Sequence, residues 1–333
     1  MEINMEILVI FTGGTIGSKA QNGWISPNGD TSSLLLAKYR SVTGDNETKF
    51  TTLSPYTILS ENLSADELNL LTDCIFKESK KDYDGIIITH GTDTLQYSAA
   101  ALSLMLGKVK MPILFVSAAY PLDDERTNGV LNFIGAVEFI KSKLKNGVFV
   151  SYKNENESKI NIHTATRIIA HPEASSDVFS LDNNPYAFFK KGKMSLNPCY
   201  KTGILGETTG KISFTKSPDI LFIESRPGYG YEYLPDDCCA VIISPYHSGT
   251  LNTGSEKFKL FCKKAKERNI PVFVVNVPKG TAYESSSLFD ELGLCVLPFC
   301  TKISIYVKCW IAQSANTDIK NFVLNQIAEE FIL

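Results

Sequence analysis

The chain has 333 residues, of which 44% are hydrophobic and 21% are charged, and its formal net charge is −3. A chain of this length can bury a large core and is long enough for two domains. Because a slightly acidic chain without a dense basic run has no electrostatic footprint for nucleic acid or anionic membrane, we expect a small-molecule partner, no nucleic acid and no membrane.

The N-terminal segment predicts no secretion or membrane signal. Glu2 and Glu6 precede a short apolar run over residues 7–11, which lacks the basic start and the length of a signal peptide. No stretch approaches the ~20 apolar residues of a membrane span. The eight cysteines stand at irregular spacings in a chain too large to need disulfide support. We therefore expect reduced thiols and a cytoplasmic location.

Strand and helix patterns alternate along the first half, which predicts a mostly parallel α/β sheet with covered faces. Ser64 and Glu67 form a capping-box pattern that predicts a helix start. In chain order, the predicted elements are a strand over 5–11, a loop or hairpin over 18–33, a strand ending near 59, a helix from 64 to about 80, a strand over 83–89, a helix over 94–106, a strand over 111–117, a helix from 124 to about 143 and a strand over 147–152.

Around residues 180–215 the pattern loosens into Asn, Pro, Lys and Gly, and it then resumes. The sequence therefore predicts an α/β fold with a larger N-terminal domain over 1–190, a linker over 191–215 and a smaller C-terminal α/β domain over 216–333. In chain order, the elements predicted after the linker are strands over 219–223 and 240–244, a helix over 254–268, a strand over 271–277 and a helix from about 318 to 331.

Two threonine-containing turns follow predicted buried strands. The first is Thr12-Gly13-Gly14-Thr15-Ile16-Gly17, and the second is His90-Gly91-Thr92-Asp93-Thr94. Ligands of open α/β sheets bind beyond the carboxyl ends of the strands, so both turns are predicted to face one pocket. Hydroxyl groups among small residues and free backbone N–H groups are suited to acyl-transfer chemistry.

Nucleotide and metal sites are disfavoured. The first turn is followed by a polar loop, whereas a dinucleotide fingerprint needs G-x-G-x-x-G opening a helix, and no phosphate-loop Gly-Lys-Ser/Thr occurs. The four histidines have no helical metal-ligand spacing. We expect neither a cofactor nor a metal.

These two turns resemble the two signature segments of bacterial-type L-asparaginases, in the same order and at a similar separation, and the likeness extends over essentially the whole chain. Within that family, the chain is most similar to the cytoplasmic type I branch. The resemblance implies that Thr12 is the nucleophile, which attacks a side-chain amide and forms an acyl-enzyme. It also implies that Thr92 and Asp93 activate and position the attacking group.

The resemblance further implies a substrate-binding segment and an oxyanion site. Ser60-Glu61-Asn62 stands where the family grips the α-carboxylate and α-amino groups of its substrate, so Ser60 and Glu61 are the expected contacts. Backbone N–H groups near Gly91 and Thr92 are expected to hold the developing oxyanion. By the same resemblance the protein is expected to be a homodimer or homotetramer.

Two positions depart from the family pattern. Trp24 stands near the place of a tyrosine that polarises the nucleophile, and an indole N–H donates but cannot act as a base. Ala170 aligns with the lysine of the Thr-Asp-Lys relay. His171 or Arg167 are candidate substitutes, of which His171 is chemically better because Arg cannot shuttle protons. A shifted alignment makes Lys159 a third candidate.

The resemblance thus implies a threonine amidohydrolase that converts L-asparagine to L-aspartate and ammonia. Trp24 and Glu61 leave open an amidase of altered specificity, and Ala170 leaves open an impaired homologue that binds amino acids. A tRNA-amidation subunit uses similar threonine segments, but the additional N-terminal domain expected of that group has no counterpart here.

Overall fold

A computed structural model describes residues 5–21, 24–27, 31–278, 280 and 283–332. The chain divides into two compact units. The larger unit consists of Met1–Lys201 and Glu207–Lys211, and the smaller consists of Thr202–Gly206 and Ile212–Leu333. Both units have α/β architecture, and the larger is built on a mostly parallel sheet, which confirms the predicted fold class.

The larger unit contains an eight-stranded sheet in the order β10-β9-β8-β7-β6-β5-β1-β4. Strands β7, β6, β5, β1 and β4 are parallel, whereas β8, β9 and β10 continue the sheet in antiparallel pairs. The strands are β1 Glu6–Phe11, β4 Lys49–Leu53, β5 Gly85–Thr89, β6 Pro112–Val116, β7 Gly147–Tyr152, β8 Ile160–Thr164, β9 Ala187–Lys190 and β10 Lys193–Leu196. A separate hairpin consists of β2 Ser18–Gln21 and β3 Trp24–Pro27.

Helices cover both faces of this sheet, so its central strands are buried along most of their length and are mainly apolar. Ile7 and Val9 belong to the core on one face, and Leu8 and Ile10 belong to the core on the other. The helices are α1 Thr31–Thr43, α2 Ala65–Glu78, α3 Leu95–Leu106 and α4 Gly129–Ser142. The predicted capping box of α2 is present, with Ser64 and Glu67 satisfying backbone N–H groups.

The smaller unit has a four-stranded parallel sheet in the order β11-β12-β13-β14. Its strands are β11 Ile220–Glu224, β12 Ala240–Ser244, β13 Val272–Val274 and β14 Leu294–Val296, and its helices are α5 Glu256–Glu267, α6 Lys302–Ser314 and α7 Ile319–Leu324. All eight cysteines are free thiols. Among the described residues, no helix is long and apolar enough to cross a membrane.

The last helix is shorter than predicted, because a buried ion pair ends it. α7 stops at Leu324, and the Lys308 ammonium, which is fully buried, donates to the carbonyl oxygens of Val323 and Asn325. The Glu330 carboxylate contacts the Lys308 Nζ at 2.6 Å and also accepts from backbone N–H groups of the next turn. These contacts replace the intrahelical bonds that a helix to residue 331 would make.

Four other predicted boundaries also differ. The strand predicted over 271–277 is β13, which ends at Val274. The strand expected to end near residue 59 is β4, which ends at Leu53. Asn128 is the N-cap of α4, because the preceding residues 124–127 form turns, so this helix starts later than predicted. Strand β10 lies inside the range 191–215, where the antiparallel pairing with β9 holds it in the sheet. The division at a linker over that range stays a prediction.

Candidate active site

Backbone pairing brings the first threonine turn against the segment that contains Ser60. After β1, the Gly14 N–H donates to the Ile58 carbonyl at 2.8 Å, and the Ile58 N–H donates to the Thr12 carbonyl at 3.1 Å. β1 also lies beside β5 in parallel register, with Phe11 opposite Thr89. The turns that follow these two strands therefore leave the same edge of the sheet, as the sequence predicts.

Two glycines allow the three segments to touch. Gly14 has φ +70° and ψ −177°, and a Cβ placed on it would lie 2.3 Å from the backbone nitrogen of Gly91. A Cβ on Gly91 would lie 2.3 Å from the Ser60 Oγ. Real Cβ atoms essentially never come this close to other heavy atoms. Hence the approach of the two turns and of Ser60 requires residues without side chains at both positions.

Thr12, the predicted nucleophile, is buried with an exposure of 2%. Its Oγ1 donates a 2.7 Å hydrogen bond to the Thr89 carbonyl. Because a carbonyl oxygen only accepts, the hydroxyl proton is occupied and the Oγ1 lone pairs point elsewhere. Attack on a substrate therefore requires a rotation of this hydroxyl or transfer of its proton to another group.

Tyr56 is a candidate functional residue that the sequence interpretation missed. Its ring packs on the core beneath α2 and α3, and its hydroxyl oxygen is buried without a hydrogen bond of full geometry. Burial raises the pKa of Tyr56 well above its usual range, and the interaction with the Thr12 side chain acts in the opposite direction. The sequence feature that could have indicated Tyr56 is its position four residues before Ser60. In the structure, this segment follows β4 and runs beside the end of β1.

The Ser60 and Asp93 side chains are brought together. The Ser60 Oγ donates to the Asp93 Oδ2 at 3.3 Å, and the Thr94 Oγ1 donates to the Ser60 carbonyl at 2.9 Å. Gln96 holds the turn from the other side, because its Nε2 donates to the Asp93 carbonyl at 3.0 Å. Glu61 is exposed, and its side chain forms no hydrogen bond or ion pair with the described residues.

A cleft of about 540 Å³ opens beside the second threonine turn. It is lined by Thr92, Asp93, Gln96, Ala119, Tyr120, His171 and residues 174–176. Thr92 and Asp93 thus both line the cleft, whereas Thr12 is buried and does not line it. Within the described ranges, no acceptor pairs with the backbone N–H groups of Gly91 and Thr92.

His90 orients the backbone at the start of the second turn. Its Nδ1 lies 2.9 Å from the Gly91 carbonyl oxygen, so this nitrogen carries the proton and donates. Burial lowers the pKa of His90 to about 4, although the bond to Gly91 acts in the opposite direction. The neutral ring therefore serves to position the loop.

The candidates for the missing lysine occupy different places. Arg167 is fully buried, where its guanidinium donates to the Lys201 carbonyl at 2.6 Å. The Lys159 ammonium lies over the Phe188 ring on β9. Three strands, β8, β7 and β6, lie between β9 and β5, the strand that precedes the second turn. Of the three, only His171 lines the cleft. The side chain of Trp24 lies outside the described part of the structure.

Comparisons with known proteins identify the family of this chain. The family model described as Asparaginase, N-terminal matches residues 6–198. One glutamyl-tRNA(Gln) amidotransferase subunit, from Methanosarcina acetivorans, is 27% identical over 278 residues, which is 81% of this chain and 64% of the relative. The chain thus spans less than two thirds of the length of this curated relative.

Solved structures share the fold. The thermostable L-asparaginase from Thermococcus kodakarensis superposes with a TM-score of 0.79 at 21% identity, covering 98% of this chain and 99% of that one. L-asparaginase I from Vibrio cholerae superposes with a TM-score of 0.78 at 22% identity, covering 99% of this chain and 100% of that one. At these identities the likeness establishes the fold alone.

Proposed function

This chain belongs to the asparaginase family, and we propose that it is an amidohydrolase that converts L-asparagine to L-aspartate and ammonia. The observation that carries the proposal is the convergence of the two threonine turns and Ser60, which requires Gly14 and Gly91. This packing holds the Thr12 turn against the turn that carries Thr92 and Asp93, and a threonine nucleophile needs activating groups close to its hydroxyl.

In the proposed first step, the Thr12 Oγ attacks the side-chain amide carbon of the substrate. A C–O bond forms, and the hydroxyl proton passes to the Thr92 and Asp93 pair, which lines the cleft. The backbone N–H groups of Gly91 and Thr92 stabilise the oxyanion. The tetrahedral intermediate then collapses, the C–N bond breaks, and the leaving nitrogen departs as ammonia with the transferred proton.

In the second step, water attacks the threonyl ester. The C–O bond to Thr12 breaks, aspartate is released, and Thr12 regains its proton, so that the net reaction consumes one water per amide. Ser60 and Glu61 hold the α-carboxylate and α-amino groups of the substrate through both steps. Support for the contribution of Ser60 comes from its hydrogen bond to Asp93.

The test is ammonia release from L-asparagine, L-glutamine and their D-isomers by the wild type, Thr12→Val and Thr12→Ala. The Thr43 hydroxyl also donates to a backbone carbonyl, at 2.8 Å, but it lies at the end of α1. Thr43→Val is thus a matched control for loss of a threonine hydroxyl. Turnover of L-asparagine that is lost only in the Thr12 variants supports the proposal, and turnover that survives in folded Thr12→Val refutes it.

Two outcomes separate the remaining alternatives. Cleavage of another amide in preference to asparagine indicates altered specificity. Thermal stabilisation by aspartate without ammonia release from any amide indicates a binding protein. The homodimer or homotetramer and the cytoplasmic location stay predictions, and the oligomeric state is measured by light scattering on the same samples.

A second candidate function is suggested by the curated relatives. Their name describes a component of a glutamyl-tRNA(Gln) amidotransferase, and the similarity covers 81% of this chain. In that role, the ammonia released at Thr12 would be used to amidate glutamyl-tRNA(Gln). Ammonia release that rises when glutamyl-tRNA(Gln) is added would favour this role, whereas asparagine turnover that is indifferent to it favours a free-standing asparaginase.

A further inference from the structure

The His171 ring makes two contacts of the same kind. Its Nδ1 lies 2.9 Å from the Asp177 carbonyl oxygen, and its Nε2 lies 2.9 Å from the Thr92 carbonyl oxygen. Carbonyl oxygens accept hydrogen bonds and cannot donate them, and a neutral imidazole has only one N–H. Both contacts are hydrogen bonds only when the ring carries two protons. In a neutral ring, one contact would set two lone pairs against each other.

We propose that His171 is a positively charged positioning residue that fastens the Thr92 and Asp93 turn to the loop over residues 171–177. This inference rests on the proposed function, because it assigns a role at the same cleft. Both ring N–H groups are used on the backbone, so none remains for a ligand. His171 therefore acts by holding the turn and by placing its charge there.

The composition of the cleft lining makes the charge of His171 important. None of the described residues that line the cleft is Lys or Arg, so His171 is the basic side chain of that lining, and Asp93 is the acidic one. The opposite charges balance each other at the site where an amide substrate would bind. Further charged groups are Glu173 and Asp177 on the same loop, and Arg126, Lys153 and Glu155, which line the adjoining cavity together with Asp177.

The functional consequence depends on pH. When the ring loses its second proton, its hydrogen bond to either the Thr92 or the Asp177 carbonyl is lost. The turn and the loop that line the cleft are then no longer joined through His171. Asp177 is otherwise held, since its Oδ1 accepts from the Glu155 N–H at 2.9 Å. We therefore expect the rate of ammonia release to fall at alkaline pH, where the ring holds only one proton.

The first experiment observes the ring directly and needs no catalytic activity. NMR of protein labelled with ¹⁵N-histidine is recorded at pH 6, and His171→Gln and His247→Gln assign the two partly or fully exposed rings. We expect two slowly exchanging ring N–H protons for His171. Burial lowers the pKa of His90 to about 4 and that of His163 to about 3, so these rings provide internal references with one proton each. A single ring N–H for His171, or none protected from exchange, overturns the proposal.

The second experiment compares pH profiles of kcat for the wild type, His171→Gln and His171→Lys. Loss of a hydrogen bond to a charged group predicts a fall in kcat of about ten- to a hundredfold in His171→Gln, with little change in KM. His171→Lys keeps the charge and is expected to restore activity and to retain it at alkaline pH. Identical profiles for the wild type and His171→Gln overturn the proposal. A wild type without ammonia release refutes the proposed function instead, and the NMR result then decides the role of His171.

Discussion

Replacing Gly14 with Ala tests whether the close approach of the two turns is required for activity. A Cβ at this position would lie 2.3 Å from the Gly91 nitrogen and 2.4 Å from its Cα, whereas ordinary contacts begin near 3.4 Å. The turns must therefore separate by about 1 Å. A misplacement of that size around a reacting centre costs about a hundredfold in rate.

Gly44 provides a matched control at the end of α1. Its φ of +71° is nearly the same as the +70° of Gly14, but a Cβ there would meet no atom within 4 Å. Gly44→Ala is expected to lower the free energy of unfolding by about 1–2 kcal/mol through backbone strain alone. Gly14→Ala should cost more, because it adds the backbone collision to a conformation that is essentially restricted to glycine.

The assay combines urea unfolding with ammonia release at saturating L-asparagine. We expect Gly44→Ala to keep the wild-type kcat. We expect Gly14→Ala to lose about a hundredfold under conditions where circular dichroism shows it to be folded. If Gly14→Ala keeps the wild-type rate and is no less stable than Gly44→Ala, the packing of Gly14 on Gly91 is irrelevant to the site, and the reasoning from this contact fails.

Three further predictions concern single side chains. Tyr56→Phe is expected to lower the rate of ammonia release without lowering the melting temperature, since the hydroxyl that it removes is buried without a full hydrogen bond; a loss of stability would show a structural role instead. The pKa of His90 is about 4 in the folded protein and near 6.5 when unfolded, so the unfolded state binds more protons between these values. The free energy of unfolding should therefore fall by up to about 3 kcal/mol as the pH drops from 6.5 to 4, and His90→Asn should remove that part of the pH dependence. Lys308→Met leaves the fully buried Glu330 carboxylate without its cation and should cost about 3–5 kcal/mol in urea unfolding, whereas the exposed Lys257→Met should cost less than about 1 kcal/mol.

The sequence predicted much of the fold because local rules govern it. Apolar runs of five or six residues, such as Ile7 to Phe11, indicate strands that are buried on both faces, and the Ser64 and Glu67 pattern starts a helix wherever it is free to form. The resemblance of the two threonine turns identified the family, and the parallel order of the strands placed both turns at one edge. The catalytic roles of these residues stay predictions.

Contacts between distant segments were beyond the sequence. His171 was one of three candidates for the missing cation, and only the fold brings its ring to the Thr92 carbonyl, 79 residues away. Tyr56 reaches Thr12 because the segment after β4 pairs with the end of β1. The last helix stops at Leu324 because Lys308, from another helix, takes its carbonyl oxygens.

The physical reason is one of range. Hydrophobic periodicity and capping depend on neighbours within a few residues, so a sequence determines them by itself. Here they indicated the two hydroxyl-bearing turns and the types of most elements, although not α1 or α6. Strand order, loop packing and the burial of Thr12 depend on which elements fill the remaining space. Only the tertiary structure decides those, and with them which side chains meet in the cleft.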